Sequence, residues 1–177
     1  TIKENKKKLT LNNKDTIGFV GAPWTLLLYM LNRKSPKEGN FSVFPKDKYI
    51  HDILMKLDEF LKIHIEAQIK SGASIIQIFD SWAGLVPEKD LEYFVYNPIK
   101  SLVDFVRQKK TISICFPRNI NNYKKFVDNV NPDIISIDYN VDPLIIRDTI
   151  DIPVQGGIDP KVLLQNKEIV RNEVTKY

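Results

Sequence analysis

The chain has 177 residues, 43% hydrophobic and 27% charged, with a formal net charge of +4, enough for one sizeable core in one domain or part of a larger one. Its one cysteine, Cys115, excludes an intrachain disulfide and fits a reducing, cytoplasmic setting. No apolar run approaches bilayer length and no signal-peptide pattern opens the sequence, so no membrane partner is expected.

Much of the basic excess sits in Lys3, Lys6, Lys7, Lys8 and Lys14, a stretch without helical or strand period and without aromatics. Residues 1–15 read as a solvated basic arm. That pattern argues against nucleic acid and leaves an anionic small ligand compatible.

Thr16 to Val20 is the first predicted strand, and it runs into Gly21-Ala22-Pro23-Trp24-Thr25. Glycine there admits close backbone approach, and Pro23 suits the first turn of a helix. A short helix from Thr25 to Leu31 carries Tyr29, and Lys34 to Phe44 reads as loop. From Pro45 onward, Ile50, Ile53, Leu54, Leu57, Leu61 and Ile65 recur three and four apart, predicting a long amphipathic helix that stops near Gly72. His64 borders that stripe, and neither it nor His51 has a partner at metal-ligand spacing.

The central strand, Ile75 to Phe79, ends abruptly in Asp80-Ser81-Trp82. Ligands bind at the carboxyl ends of parallel strands, so Asp80 and Ser81 are candidate site residues. The competing local reading makes one of them a helix cap and Trp82 a core aromatic.

Pro87 to Asp90 opens a helix with Leu91, Phe94, Val95, Ile99, Leu102, Val103 and Val106 on its buried face, broken near Asn97 by Pro98. A strand at Thr111 to Phe116, which holds Cys115 as a packing residue, is followed by a helix at Tyr123 to Val130. Another strand spans Asp133 to Asp138, another helix Pro143 to Ile150, and a last strand Ile152 to Gln155. Asp159-Pro160 then starts a final helix by cap and proline.

Five strand and helix units with short crossovers indicate a parallel α/β protein. The strands are apolar almost throughout, as when both faces are covered, and no glycine-rich dinucleotide fingerprint follows any of them. The pattern favours part of a (β/α)8 barrel, in which each strand tip carries its own functional residue, here Gly21, Ser81, Arg118, Asp138 and Gly157.

Three stretches narrow this further: Ile17 to Thr25 with Tyr29-Met30 after it, Gln77-Ile78-Phe79-Asp80-Ser81-Trp82-Ala83-Gly84, and Gln155-Gly156-Gly157-Ile158-Asp159-Pro160. In order and spacing they resemble the uroporphyrinogen decarboxylase family, from about Asp15 onward. The resemblance implies a (β/α)8 TIM barrel, usually a homodimer, that converts the four acetate side chains of uroporphyrinogen III to methyls, giving coproporphyrinogen III. It implies no metal or organic cofactor. It also implies that Tyr29 and Ser81 contact substrate and that Phe79 walls the same cleft, and it assigns proton delivery to no residue here.

The family's Met-Arg-Gln-Ala-Gly-Arg, Phe-Ser-Asp and Gly-His-Gly segments have no counterpart in the sequence. Residues 16–177 are therefore expected to be the central part of a single barrel domain, an internal fragment that does not turn over substrate by itself. Arg118-Asn119 stands where many members have Lys-Gly or Lys-Asp, Tyr139 for a common Trp and Gly157 for a common Asn. Two other functions compete. A corrinoid-linked methyltransferase of the same barrel superfamily would need a His and Cys zinc set, and a non-catalytic tetrapyrrole-binding module would pair its exposed flank with a partner.

Overall fold

The computed structural model describes residues 14–32 and 44–175, together with residues 2, 4 and 36. Most of the predicted basic arm and of the predicted 34–44 loop lies outside the described residues.

Strands β1 (Ile17–Gly21), β2 (Ile75–Asp80), β3 (Ile112–Pro117), β4 (Ile134–Ile137) and β5 (Val154–Gly156) form one parallel sheet in the order β1-β2-β3-β4-β5. Between and after them come α1 (Pro23–Asn32), α2 (Lys48–Lys70), α3 (Asn97–Gln108), α4 (Tyr123–Val130), α5 (Pro143–Thr149) and α6 (Lys167–Thr175). Each strand is hydrogen-bonded to its predecessor, with no point where the order reverses. Right-handed crossovers then deliver every helix to the same face. This is an unclosed stretch of (β/α)8 barrel, not a doubly wound sheet.

Three helices begin at side-chain caps that the sequence supplies, whereas the helix expected from Pro87 opens with a short 3₁₀ turn at Glu88–Asp90 and becomes α-helical only from Asn97. Asp47 accepts from the Ile50 N–H at 2.9 Å, Asn122 from Lys125 N–H at 2.8 Å and Asp142 from Leu144 N–H at 2.9 Å. A wide π turn at Glu92–Tyr96 meets α3 at Asn97, so the irregularity predicted from Pro98 falls at that junction. Pro98 follows that π turn directly, where it has no N–H to give to a carbonyl of the preceding turn. The predicted last helix is two pieces, a 3₁₀ turn at Pro160–Leu164 and then α6. The break falls where the Asn166 side chain accepts from the Glu168 and Ile169 N–H groups and starts a new helix.

The core fills the space between the helices and one sheet face. Val20, Ile76, Ile78, Cys115, Ile135 and Ile137 meet Leu27, Leu28, Ile65, Leu102, Val106 and Phe126 there. Trp24 anchors the β1 side, with its ring 4.9 Å from Phe94 and its indole N–H donating to the Trp82 carbonyl at 2.9 Å. The opposite face differs from expectation. The apolar strands predicted cover on both sides, yet Phe19 is 64% and Ile17 46% exposed, because only one layer of helices is present among the described residues.

The outer edge of β1 is closed by a side chain. Thr16 and Ala22 make their backbone bonds toward β2, so the alternate residue Phe19 turns its N–H and C=O outward. Gln68 of α2 meets both: its Oε1 accepts from Phe19 N–H at 2.9 Å and its Nε2 donates to Phe19 C=O at 3.0 Å. Glycine at position 18 makes the room, since a Cβ there would lie 2.5 Å from Gln68 Oε1. Replacing Gln68 with Leu leaves two backbone groups unpartnered and is expected to lower stability by about 1–2 kcal/mol. An unchanged midpoint in urea unfolding would refute this role.

Candidate functional site

The exposed face of the sheet is concave, and side chains two strands apart meet across it. Gln77 on β2 donates to Ser136 Oγ on β4 at 3.4 Å, and Ser136 donates to Gln155 Oε1 on β5 at 2.9 Å. Strands two apart lie about 9.6 Å apart in a flat sheet, so curvature brings these groups within reach. The chain of three was not read from the sequence. Its signal is a polar residue in the interior of each of three strands, Gln77, Ser136 and Gln155.

Above that polar row lies an aromatic arc. Phe79 packs edge-on against Phe19 on one side, centroids 6.1 Å apart, and against Phe116 on the other at 6.2 Å. The carboxyl ends of β2 to β5 border a cavity of about 490 Å³. Its wall includes Gln77, Phe79, Ser81, Phe116, Arg118, Ser136, Asp138, Tyr139, Gln155 and Gly157. Two of the residues singled out by the resemblance, Ser81 and Phe79, therefore share one wall. Tyr29 does not line this cavity; it is 42% exposed on α1.

Asp80 and Ser81 part company because successive strand residues point to opposite faces. Asp80 is fully buried on the helix side, where the Thr25 hydroxyl donates to its Oδ1 at 2.7 Å. Burial pushes its carboxyl up to about 7, against the opposing pull of the Thr25 hydroxyl and the Trp82 main-chain N–H, which favour the charged form. Asp80 thus ties β2 to α1 and takes no part in the cavity. The expectation that it belongs to the site is not met.

The turns at the tips of β2 and β3 are interlocked. Arg118 N–H donates to Asp80 C=O and Gly84 N–H to Arg118 C=O, each at 3.0 Å. Gly84 packs so tightly on the next turn that a Cβ would lie 2.6 Å from Asn119 Cβ. Asn119 adopts the left-handed conformation, with φ of 60°, which Asn tolerates better than most residues. Its N–H donates to Asp138 Oδ2 at 2.6 Å, and the Tyr123 hydroxyl donates to the same oxygen at 2.8 Å. Burial pushes the Tyr123 phenol up, which keeps it a neutral donor. Asp138, 5% exposed, is a fixed acceptor that holds the β3 turn in place.

The family model described as uroporphyrinogen decarboxylase (URO-D) matches residues 1–177. The chain belongs to the uroporphyrinogen decarboxylase family. It is similar to the uroporphyrinogen decarboxylases of Rickettsia bellii (strain RML369-C), at 35% identity over 186 residues, and Rickettsia akari (strain Hartford), at 36% over 184 residues. These matches take in 99% of this chain and 53% and 54% of the respective relatives. The chain spans about half the length of the curated relatives it matches. The family match takes in the opening basic stretch before Asp15 as well.

Two further features bear on the family assignment. Cys115, the chain's single thiol, is buried toward the helices and pushed up by burial and by the nearby Asp133 and Asp80 charges, so it presents no thiolate to the cavity. No helix among the described residues is long and apolar enough to cross a membrane.

The Asp80 carboxyl gives a pH signature. Its folded-state pKa is raised from 3.8 to about 7, so the folded state holds a proton that the unfolded state has lost. Its contribution to stability is full below the unfolded value and fades as pH rises toward 7. Asp80→Asn removes that dependence. The melting temperature of the variant minus that of the wild type should rise between about pH 4.5 and about pH 7.5, and a pH-independent difference would contradict the assignment.

Proposed function

We propose that this chain serves the cofactor-free decarboxylation of the four acetate side chains of uroporphyrinogen III to coproporphyrinogen III, in porphyrin and haem biosynthesis. One observation carries the proposal: in a chain of this family, Ser81 and Phe79 fall on one wall of a concave cavity at the strand tips.

The chemistry asks for little beyond what such a cavity offers. A proton added to a pyrrole ring carbon turns the ring into an electron sink. The bond to the departing carboxylate then breaks, carbon dioxide leaves, and the bonding pair forms an exocyclic double bond. Protonation of that methylene and loss of the ring proton leave a methyl group. A partly dry, aromatic-walled cleft strengthens the electrostatics of these steps. Phe19, Phe79 and Phe116 would supply the flat apolar wall for the macrocycle, and the Ser81 hydroxyl a hydrogen bond that orients a carboxylate. Tyr29, on α1 outside that cavity wall, is proposed as a second substrate-contacting hydroxyl on the family resemblance alone. Asp80 holds its proton near neutrality but faces the helices, so it is not the acid.

The single cysteine supports a cytoplasmic location. A homodimer is supported by the exposed apolar side chains Tyr49, Phe60 and Ile63 on α2, which a second copy would cover. Neither rival function is favoured: the buried thiol offers no ligand for the zinc of a corrinoid-linked methyltransferase, and the named relatives are decarboxylases.

The test is release of carbon dioxide and appearance of coproporphyrinogen from uroporphyrinogen by the full-length protein, with Ser81→Ala and Tyr29→Phe measured beside the wild type. Each variant is expected to lose about tenfold in kcat/KM, the scale of one lost hydrogen bond to a charged group. Wild-type protein that binds the tetrapyrrole without releasing carbon dioxide would favour a non-catalytic binding module.

A further inference from the structure

Arg118 is the only cationic side chain on the cavity wall among the described residues. The strand register puts Asp80 opposite Pro117, so the next position on each strand sets Ser81 beside Arg118. In a parallel sheet such neighbours project from the same face, and both line the cavity. A hydroxyl and a guanidinium side by side make a natural receptor for a carboxylate, because a planar fork and a carboxylate form two short parallel hydrogen bonds.

We propose that Arg118 is a specificity-determining residue that, beside Ser81, binds one carboxylate of the substrate. The proposal rests on the porphyrinogen reading and adds a cation to it.

The surroundings of Arg118 fit a receptor better than a structural ion pair. Its main chain is fixed on both sides, by Asp80 C=O at its N–H and by Gly84 N–H at its C=O. The side chain nevertheless stays 46% exposed. Among the described residues its ion-pair neighbour is Asp138, whose Oδ1 lies 3.9 Å from Arg118 Nε, beyond hydrogen-bond reach. Asp138 cannot close that gap cheaply. Its other oxygen is held by the Asn119 N–H and the Tyr123 hydroxyl, and moving the carboxylate would break both bonds. The acid therefore biases the guanidinium toward the wall and leaves the fork's terminal N–H groups for a ligand.

The test uses the full-length protein, with uroporphyrin as a non-reacting octacarboxylate probe read by fluorescence and uroporphyrinogen as substrate. Arg118→Gln is expected to raise the Kd for uroporphyrin and the KM for uroporphyrinogen about tenfold, with kcat within about twofold of wild type. Arg118→Lys keeps the charge and loses the fork, so its values should fall between. The Kd of the wild type should rise more steeply with salt than that of Arg118→Gln, a difference that a merely structural role would not produce.

An Arg118→Gln protein with wild-type melting temperature, Kd and salt dependence overturns the proposal and leaves the decarboxylase reading standing. If that variant does not fold, an Arg118→Lys protein binding as tightly as wild type overturns it equally. Wild-type protein that neither binds uroporphyrin nor forms coproporphyrinogen sinks the decarboxylase reading and this inference together.

Discussion

Every strand of this sheet is bonded to the strand before it in sequence, and the rest of the molecule follows from that constraint. A chain that always returns beside its last strand, by crossovers of one hand, lays all its helices on one side. The sheet curls with its natural twist, and the side without helices becomes a hollow. Gln77, Ser136 and Gln155 touch only because of this curl. The hollow opens at the strand tips, so the residue that ends each strand becomes a wall residue by position.

The strand tips are also rigid, which is less common for a ligand-facing rim. Loops usually carry function at the expense of order. Here the β2 turn grips the β3 turn through two backbone hydrogen bonds and the bare Gly84 surface. Asp138 reaches from β4 to hold the same turn. Three consecutive strands are thus linked at their ends as well as along their lengths, and Ser81 and Arg118 hang from a braced frame. Preorganisation of this kind spares a ligand the ordering cost it would otherwise meet on binding.

The regular elements were legible because their periods differ: α2 announces itself by spacings of three and four, and β2 to β4 by short β-branched runs. Family membership was legible in the long runs rich in Trp, Gly and Pro, and with it Ser81 and Phe79. Other features were not, for physical reasons. Asp80 and Ser81 look alike as polar residues at a strand tip, and only the parity of the pleat separates a buried tie from a wall residue. Gln68 falls on the apolar stripe of a helix and resembles an ordinary boundary residue. Nothing local says that its amide turns away from the helix to face an edge strand. The exposure of Phe19 was hidden for the opposite reason, since an apolar strand reads the same whether its second face is covered or open.

The amide of Gln68 presents to β1 the same donor and acceptor pair that a peptide group of an adjoining strand would present. Any polypeptide that docks against this flank must first evict the glutamine, trading two existing bonds for its own. The gain from strand addition is reduced by that exchange, and unwanted edge-to-edge sticking is discouraged while legitimate extension stays possible. The side chain works as a removable cover, with Gly18 as the notch into which it fits.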